Sequence, residues 1–203
     1  MWYYFRRFAV EHWQSPMSLW HRKRERMKIF KLIVSLSVIS AICAGVLAGI
    51  NTVTKDSIAK IREKQILDAA AEVMPAAVDK SKIERAGDGM FVGKDASGKV
   101  AGYAIKGSDP SGYGGEIVLM VGFSPDFRIS TYKKLVAAET PGLGTNMSDP
   151  GFMKQFAGMD ASSPIAVKKD GGKIDAITSA TITSRAVCGA INDAKRKMEG
   201  ILK

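Results

Sequence analysis

The side chains best suited to chemistry stand together near the end of the chain, in Asp175-Ala-Ile-Thr-Ser-Ala-Thr-Ile-Thr-Ser184, which places five hydroxyls within seven positions after a Gly171-Gly172 pair. Val187, Ala190, Ile191, Ala194 and Met198 follow at helical spacing, so this cluster opens a final helix expected from about Thr181 to Met198. At a helix start, hydroxyls and unpaired backbone N–H groups either cap the helix or hold an anion such as phosphate, because orphan donors and the helix dipole both favour negative charge. Both readings stand on the residues alone, since Thr178 or Ser179 would cap the helix without any ligand.

Other chemistries drop out. His12 and His21 are the only histidines, so the chain beyond residue 50 has no Ser-His-Asp triad, Cys-His nucleophile or His-ligated zinc. Cys43 and Cys188 are too few and too far apart for a zinc knuckle, an iron–sulfur site or a CxxC redox pair, and no metal site is expected. Difficult chemistry must then come from an organic cofactor. Two glycine-rich segments are candidates for contact with it: Gly112-Tyr-Gly-Gly115, and Gly142-Leu-Gly144 within Glu139-Thr-Pro-Gly-Leu-Gly144. Glycine at such density means either backbone brought close to a bound group or a small sheet with tight turns.

The elements that must position these residues divide into a membrane segment and one domain. Of the net charge of +10, residues 1–31 carry +6, from eight Lys/Arg against two Glu. Leu32 to Val53 then runs 22 residues without a charge, about 33 Å as a helix and enough to span a bilayer. Arg22, Lys23, Arg24, Arg26, Lys28 and Lys31 would hold the preceding segment in the cytoplasm and send residues 54–203 to the other side of the inner membrane. A cleaved signal peptide is the rival reading, though the run is long for one and lacks a clear cleavage site. Trp2, Phe5, Ala9, His12 and Trp13 recur near helical spacing, as in an interfacial helix or a mere extension ahead of Met17 or Met27. Nucleic acid is set aside as a partner because the charges abut a span.

Beyond the span, Ile58, Ile61, Ile66, Ala69, Ala70 and Val73 mark an amphipathic helix over 55–74 that Pro75 stops. Strands are expected at 90–92, 100–105, 116–123 and 127–137, joined by turns short enough for antiparallel pairing, with 116–123 central. A short helix is expected over 150–156. The fold class is α+β: a single amino-terminal transmembrane helix, then an extracytoplasmic domain with a mainly antiparallel sheet and flanking helices.

These motifs resemble the FMN-binding subunits of ion-pumping respiratory complexes, namely the G-subunit of the Rnf complex and the C-subunit of the sodium-translocating NADH:quinone reductase. The resemblance covers most of residues 30–203, and the length favours the Rnf G-subunit. In that family a signal Asp-x-x-Ser/Thr-Gly-Ala-Thr-x-Ser/Thr is read by a flavin transferase, which joins FMN through its phosphate to the threonine after the alanine. The pattern falls on Asp175, Thr178, Ser179, Ala180, Thr181 and Thr183, implying covalent FMN on Thr181; Ser179 stands where glycine is usual. Glu139-Thr-Pro-Gly-Leu-Gly144 and Gly112-Tyr-Gly-Gly-Glu-Ile117 are similar to two further family motifs. The resemblance implies that Leu143 and the backbone of Gly142 and Gly144 lie near the isoalloxazine, with Glu139 and Thr140 at its rim. It also implies an electron carrier in a complex coupling electron transfer between reduced ferredoxin and NAD to ion movement, alongside iron–sulfur and membrane flavin subunits. The alternatives are an anchored FMN domain of another electron-transfer or regulatory system, and a non-redox module binding an extracytoplasmic solute.

Overall fold

A computed structural model describes residues 16–201; the expected interfacial helix around Trp2 to Trp13 lies outside them. Helix α1 runs Pro16–Val73, one uninterrupted element where the sequence suggests a span and then a second helix. The polar residues at that junction are absorbed locally: Thr52 Oγ1 donates to the Ala48 carbonyl at 2.9 Å and Thr54 Oγ1 to that of Ile50 at 2.8 Å, which lets both hydroxyls sit in a helix. Every side chain from Arg26 to Val53 is exposed. An apolar helix of this length, with its described side chains exposed, is suited to lipid.

The chain divides into two compact units between Ala59 and Lys60. The second is an α+β domain built on five antiparallel strands in sequential order: β1 Ile83–Gly87, β2 Met90–Lys94, β3 Val100–Gly112, β4 Gly115–Phe123 and β5 Ile129–Val136. Strand β1 has no counterpart in the sequence reading because only its two end residues are even half-buried. Its signal is the turn: Asp88-Gly89, with Gly89 at φ +68°, is the residue pair that favours a two-residue hairpin loop. Strand β3 also runs seven residues longer than expected, and it takes the middle of the sheet in place of β4. Strand β4 is nonetheless paired on both sides, and both of its faces are covered.

The alternation along these strands assigns the two faces. Ile105, Ile117, Leu119, Val121, Phe123, Ile129 and Tyr132 face a core closed by helix α3, Thr181–Ile201, through Val187, Ala190, Ile191, Ala194 and Met198. Ala104, Met120 and Phe91 face the other way, against Ala69, Ala70 and Val73 of α1 and against Met74 and Val78. Of the expected α1 stripe, Ile58 and Ile61 are exposed, so only the last turns pack on the sheet. Helix α2, Pro150–Met153, is shorter than expected and gives way to turns; Asp149 caps it by accepting from the Gly151 N–H at 2.7 Å.

Close approach of α3 to the sheet depends on Gly107 of β3, where a Cβ would lie 2.0 Å from the Ala190 carbonyl oxygen and 2.8 Å from the Ala194 nitrogen. Backbone cannot yield as a side chain can. Gly107→Ala should therefore destabilise the domain by about 1–3 kcal/mol, lowering the thermal midpoint of the detergent-solubilised chain by several degrees. Gly200→Ala, which meets open space, should not lower it.

Candidate functional site

A cleft of about 450 Å³ opens where three segments meet. The β3–β4 turn contributes Tyr113, and the loop after β5 contributes Glu139, Thr140, Leu143 and Gly144. The start of α3 completes it with Ser179, Ala180, Thr181, Ile182 and Thr183.

Each segment is shaped by its own sequence. Gly112 pairs with Gly115 across a two-residue loop, so Tyr113 is carried at a hairpin tip and is 71% exposed. In the second segment the Leu143 N–H donates to the Thr140 carbonyl at 3.2 Å, with Pro141 second and Gly142 third at φ +75°, the sequence and sign of a type II turn. The third segment repeats the device. The Ala180 N–H donates to the Ile177 carbonyl at 3.0 Å, and Ser179, third in the turn, has φ +60°. That is the position where glycine is favoured, which gives the physical reason for glycine in the family pattern at the place serine occupies here.

Glu139 ties the three segments together. Its side chain is buried, and it accepts from the Gly114 N–H at 3.2 Å through Oε1 and from the Thr183 hydroxyl at 2.6 Å through Oε2. The surrounding glycines make room for it: a Cβ on Gly144 would lie 2.4 Å from Glu139 Oε2, and one on Gly112 2.9 Å from Oε1. A Cβ on Gly114 would lie 1.8 Å from the Ala138 carbonyl oxygen. The glycines at 112, 114 and 144 thus serve contact between the protein's own loops.

The hydroxyl cluster separates into distinct roles. Thr183 is buried and committed to Glu139. Ser184 is fully buried; its Oγ accepts from the Ile177 N–H at 2.9 Å and donates to the Ala180 carbonyl at 3.0 Å. Thr178 and Ser179 are exposed, and neither caps the helix. Thr181 is half-buried in the cleft wall, and its hydroxyl has no hydrogen-bond partner among the described residues. By helix geometry the N–H groups of Thr181, Ile182 and Thr183 also lack intrahelical acceptors.

The structure brings Glu139, Thr140, Leu143, Gly144, Ser179, Ala180, Thr181 and Thr183 to the cleft. Asp175, Thr178 and Gly142 stand outside its lining: Asp175 is exposed and pairs with Lys168 at 2.7 Å. Glu139 is a buried strut, where the sequence reading has it as a rim contact. Tyr113, carried by the glycine-rich segment that the sequence offers for cofactor contact, lines the cleft as well, and Ile182 lines it without having been singled out; both are large, apolar-bodied and exposed beside glycine or hydroxyl runs, which is the signal that marks them. Cys188 lies in the core, and burial pushes its thiol up to about 12, so it is inert.

This lining fits a flavin nucleotide. Leu143 and Ile182 are 41% and 48% exposed and, with Tyr113, offer apolar surface to a flat ring. The three orphan N–H groups and the α3 dipole offer charge compensation for a phosphate. The described lining holds no Lys or Arg, so charge compensation there falls to these backbone donors.

Residues 112–196, which include every lining residue, match the FMN-binding domain family. The G-subunit of an ion-translocating oxidoreductase complex from Methanosarcina acetivorans is 35% identical over 176 residues, covering 82% of this chain and 93% of its own length. The G-subunit of a Na(+)-translocating ferredoxin:NAD(+) oxidoreductase complex from Acetobacterium woodii is 35% identical over 185 residues, covering 81% and 88%. The chain belongs to the G-subunit family of ion-translocating oxidoreductase complexes. A solved structure of the C-subunit of Na(+)-translocating NADH-quinone reductase from Parabacteroides distasonis aligns with a TM-score of 0.47 at 24% identity, over 56% of this chain and 62% of that one.

In this member of the G-subunit family, left-handed backbone at Ser179 costs about 1–2 kcal/mol, while glycine loses about 0.5–1 kcal/mol more entropy on folding. Ser179→Gly should raise stability by the difference, about 1 kcal/mol, or a few degrees in thermal midpoint. Ser179→Val should lower it, since a β-branched residue tolerates positive φ less well.

Proposed function

We propose that this chain is the flavin-carrying electron-transfer subunit of a membrane-bound, ion-translocating oxidoreductase complex, with FMN held as a phosphodiester on Thr181. One contrast carries the choice of residue: the Thr181 hydroxyl lies in the cleft without a protein partner among the described residues, while Thr183 is buried and donates to Glu139.

Attachment is a group transfer without redox change. The Thr181 Oγ forms a bond to the flavin-bearing phosphorus, the phosphoanhydride of a flavin dinucleotide breaks, a nucleoside monophosphate leaves, and the hydroxyl loses its proton. An anhydride donor is needed because condensing free FMN with a hydroxyl in water runs uphill. The described cleft lining has no histidine, and its one carboxylate is already engaged by two donors. The base therefore belongs to a separate flavin transferase, for which Asp175, Thr178 and Ser179 are the exposed, reachable part of the signal.

Bound FMN supplies one- and two-electron chemistry that no side chain of the domain has. The chain fixes the phosphate at Thr181 and offsets its charge with first-turn N–H groups, worth about 0.3–1 kcal/mol at an exposed site. Tyr113, Leu143 and Ile182 provide the apolar surface beside it. The relatives' names support a relay between ferredoxin and NAD within an ion-translocating assembly; in this reading its neighbours there are iron–sulfur and membrane flavin subunits. Between Leu32 and Val53 there is no ionisable carboxylate or basic group, so ion movement falls to other subunits.

In this reading residues 1–31 are cytoplasmic, 32–53 span the inner membrane and 54–203 lie outside the cytoplasm. The flanks support that direction, with six Lys/Arg in residues 22–31 against four in 55–64. Protease added to cells with an opened envelope should cut beyond residue 54, and complete protection would reverse the orientation. Co-expressed with flavin transferase, wild type should gain the mass of FMN less water on the Thr181 peptide. Thr181→Val should lose in-gel flavin fluorescence entirely, and Thr183→Ser, which keeps the hydroxyl, should retain it. Fluorescence in Thr181→Val would assign attachment elsewhere.

A further inference from the structure

The attachment sequence is held by two side chains, one beyond its end and one far from it. Ser184 Oγ takes the Ile177 N–H and gives its own proton to the Ala180 carbonyl, so one fully buried hydroxyl bridges the first and last residues of the turn containing Ser179. Gln155, in the turns after α2, grips the other end: its Oε1 accepts from the Asp175 N–H at 2.7 Å and its Nε2 donates to the Asp175 carbonyl at 3.2 Å. Both main-chain groups of Asp175 are thereby occupied by one amide, as a neighbouring strand would occupy them. Between these clamps Thr178 and Ser179 are exposed, and Thr181 follows directly after Ala180.

The strain in the turn gives the clamps their purpose. Left-handed backbone at Ser179 is unfavourable without glycine, so the turn persists only where its surroundings fix it. A loop that adopts the required shape for only part of the time presents less substrate to an enzyme that must grip it.

We propose that Ser184 and Gln155 are positioning residues for flavin attachment, holding the 177–180 turn and the Thr181 hydroxyl in the one conformation that a flavin transferase accepts. This rests on Thr181 being the attachment residue. Neither side chain touches the transferred group. Both act through the backbone of Asp175, Ile177 and Ala180.

The test uses purified full-length chain in detergent, flavin transferase and FAD, with attachment followed by in-gel fluorescence and by mass at the Thr181 peptide. Ser184→Ala and Gln155→Ala each remove two hydrogen bonds and should each raise the transferase's KM for the chain at least about tenfold with kcat retained. Their thermal midpoints should stay within a few degrees of wild type, and modification at high chain concentration should reach the wild-type stoichiometry. If Ser184→Ala does not fold, Gln155→Ala, whose side chain is only half-buried, decides alone. Folded variants modified with wild-type KM and kcat overturn the proposal. A wild-type chain that takes no flavin on Thr181 overturns the attachment reading itself, and this inference with it.

Discussion

A carboxylate withdrawn from water has to find donors, and Glu139 finds two that are far apart in sequence: the Gly114 N–H in a hairpin turn and the Thr183 hydroxyl in the first turn of the last helix. The backbone must come close enough to make those bonds, which leaves no room for a Cβ at 112, 114 or 144. The cleft is the space left beside this joint. Its walls are the three segments that Glu139 joins, so the site's shape depends on one buried acid and the glycines around it.

The helix start illustrates how neighbouring hydroxyls of the same type diverge in role. Helical geometry sends Thr183 and Ser184 inward, where burial obliges each to find partners, and turns Thr181 toward the cleft, where none of the described residues engages it. Unsatisfied backbone donors beside that hydroxyl suit an anionic group, and the match to the FMN-binding domain family agrees with a flavin nucleotide there. The positive φ at Ser179 belongs to the same arrangement. It turns the chain sharply ahead of the helix, so that Ala180 is buried and Thr181 emerges at the cleft.

Large parts of the fold were legible because burial imposes periods on the chain. The five apolar positions of α3 repeat every three or four residues, the odd residues of β4 alternate into one core, and both patterns survive intact. What was not legible lay where burial is weak or the partner is distant. Strand β1 is an edge strand with three exposed central residues, so it carries almost no alternation, and only Asp88-Gly89 marks its hairpin. The continuity of α1 likewise shows only in the structure, where the Thr52 and Thr54 hydroxyls are satisfied by carbonyls of the preceding turn and both residues sit within the helix.

For the site, the sequence by itself determined that a hydroxyl cluster opens the last helix and that two glycine-rich loops accompany it, because these are local patterns of residue type and spacing; the flavin and Thr181 as its candidate attachment residue came from the family resemblance those patterns carry. Only the tertiary structure decided that Thr183 is engaged while Thr181 lines the cleft without a partner among the described residues, why Glu139 is a strut, and that Gln155 and Ser184 grip the attachment loop. Those facts depend on groups separated by up to 44 positions meeting at hydrogen-bond distance. Such a meeting has no period and no motif in the chain; it exists only once the sheet and the last helix have packed.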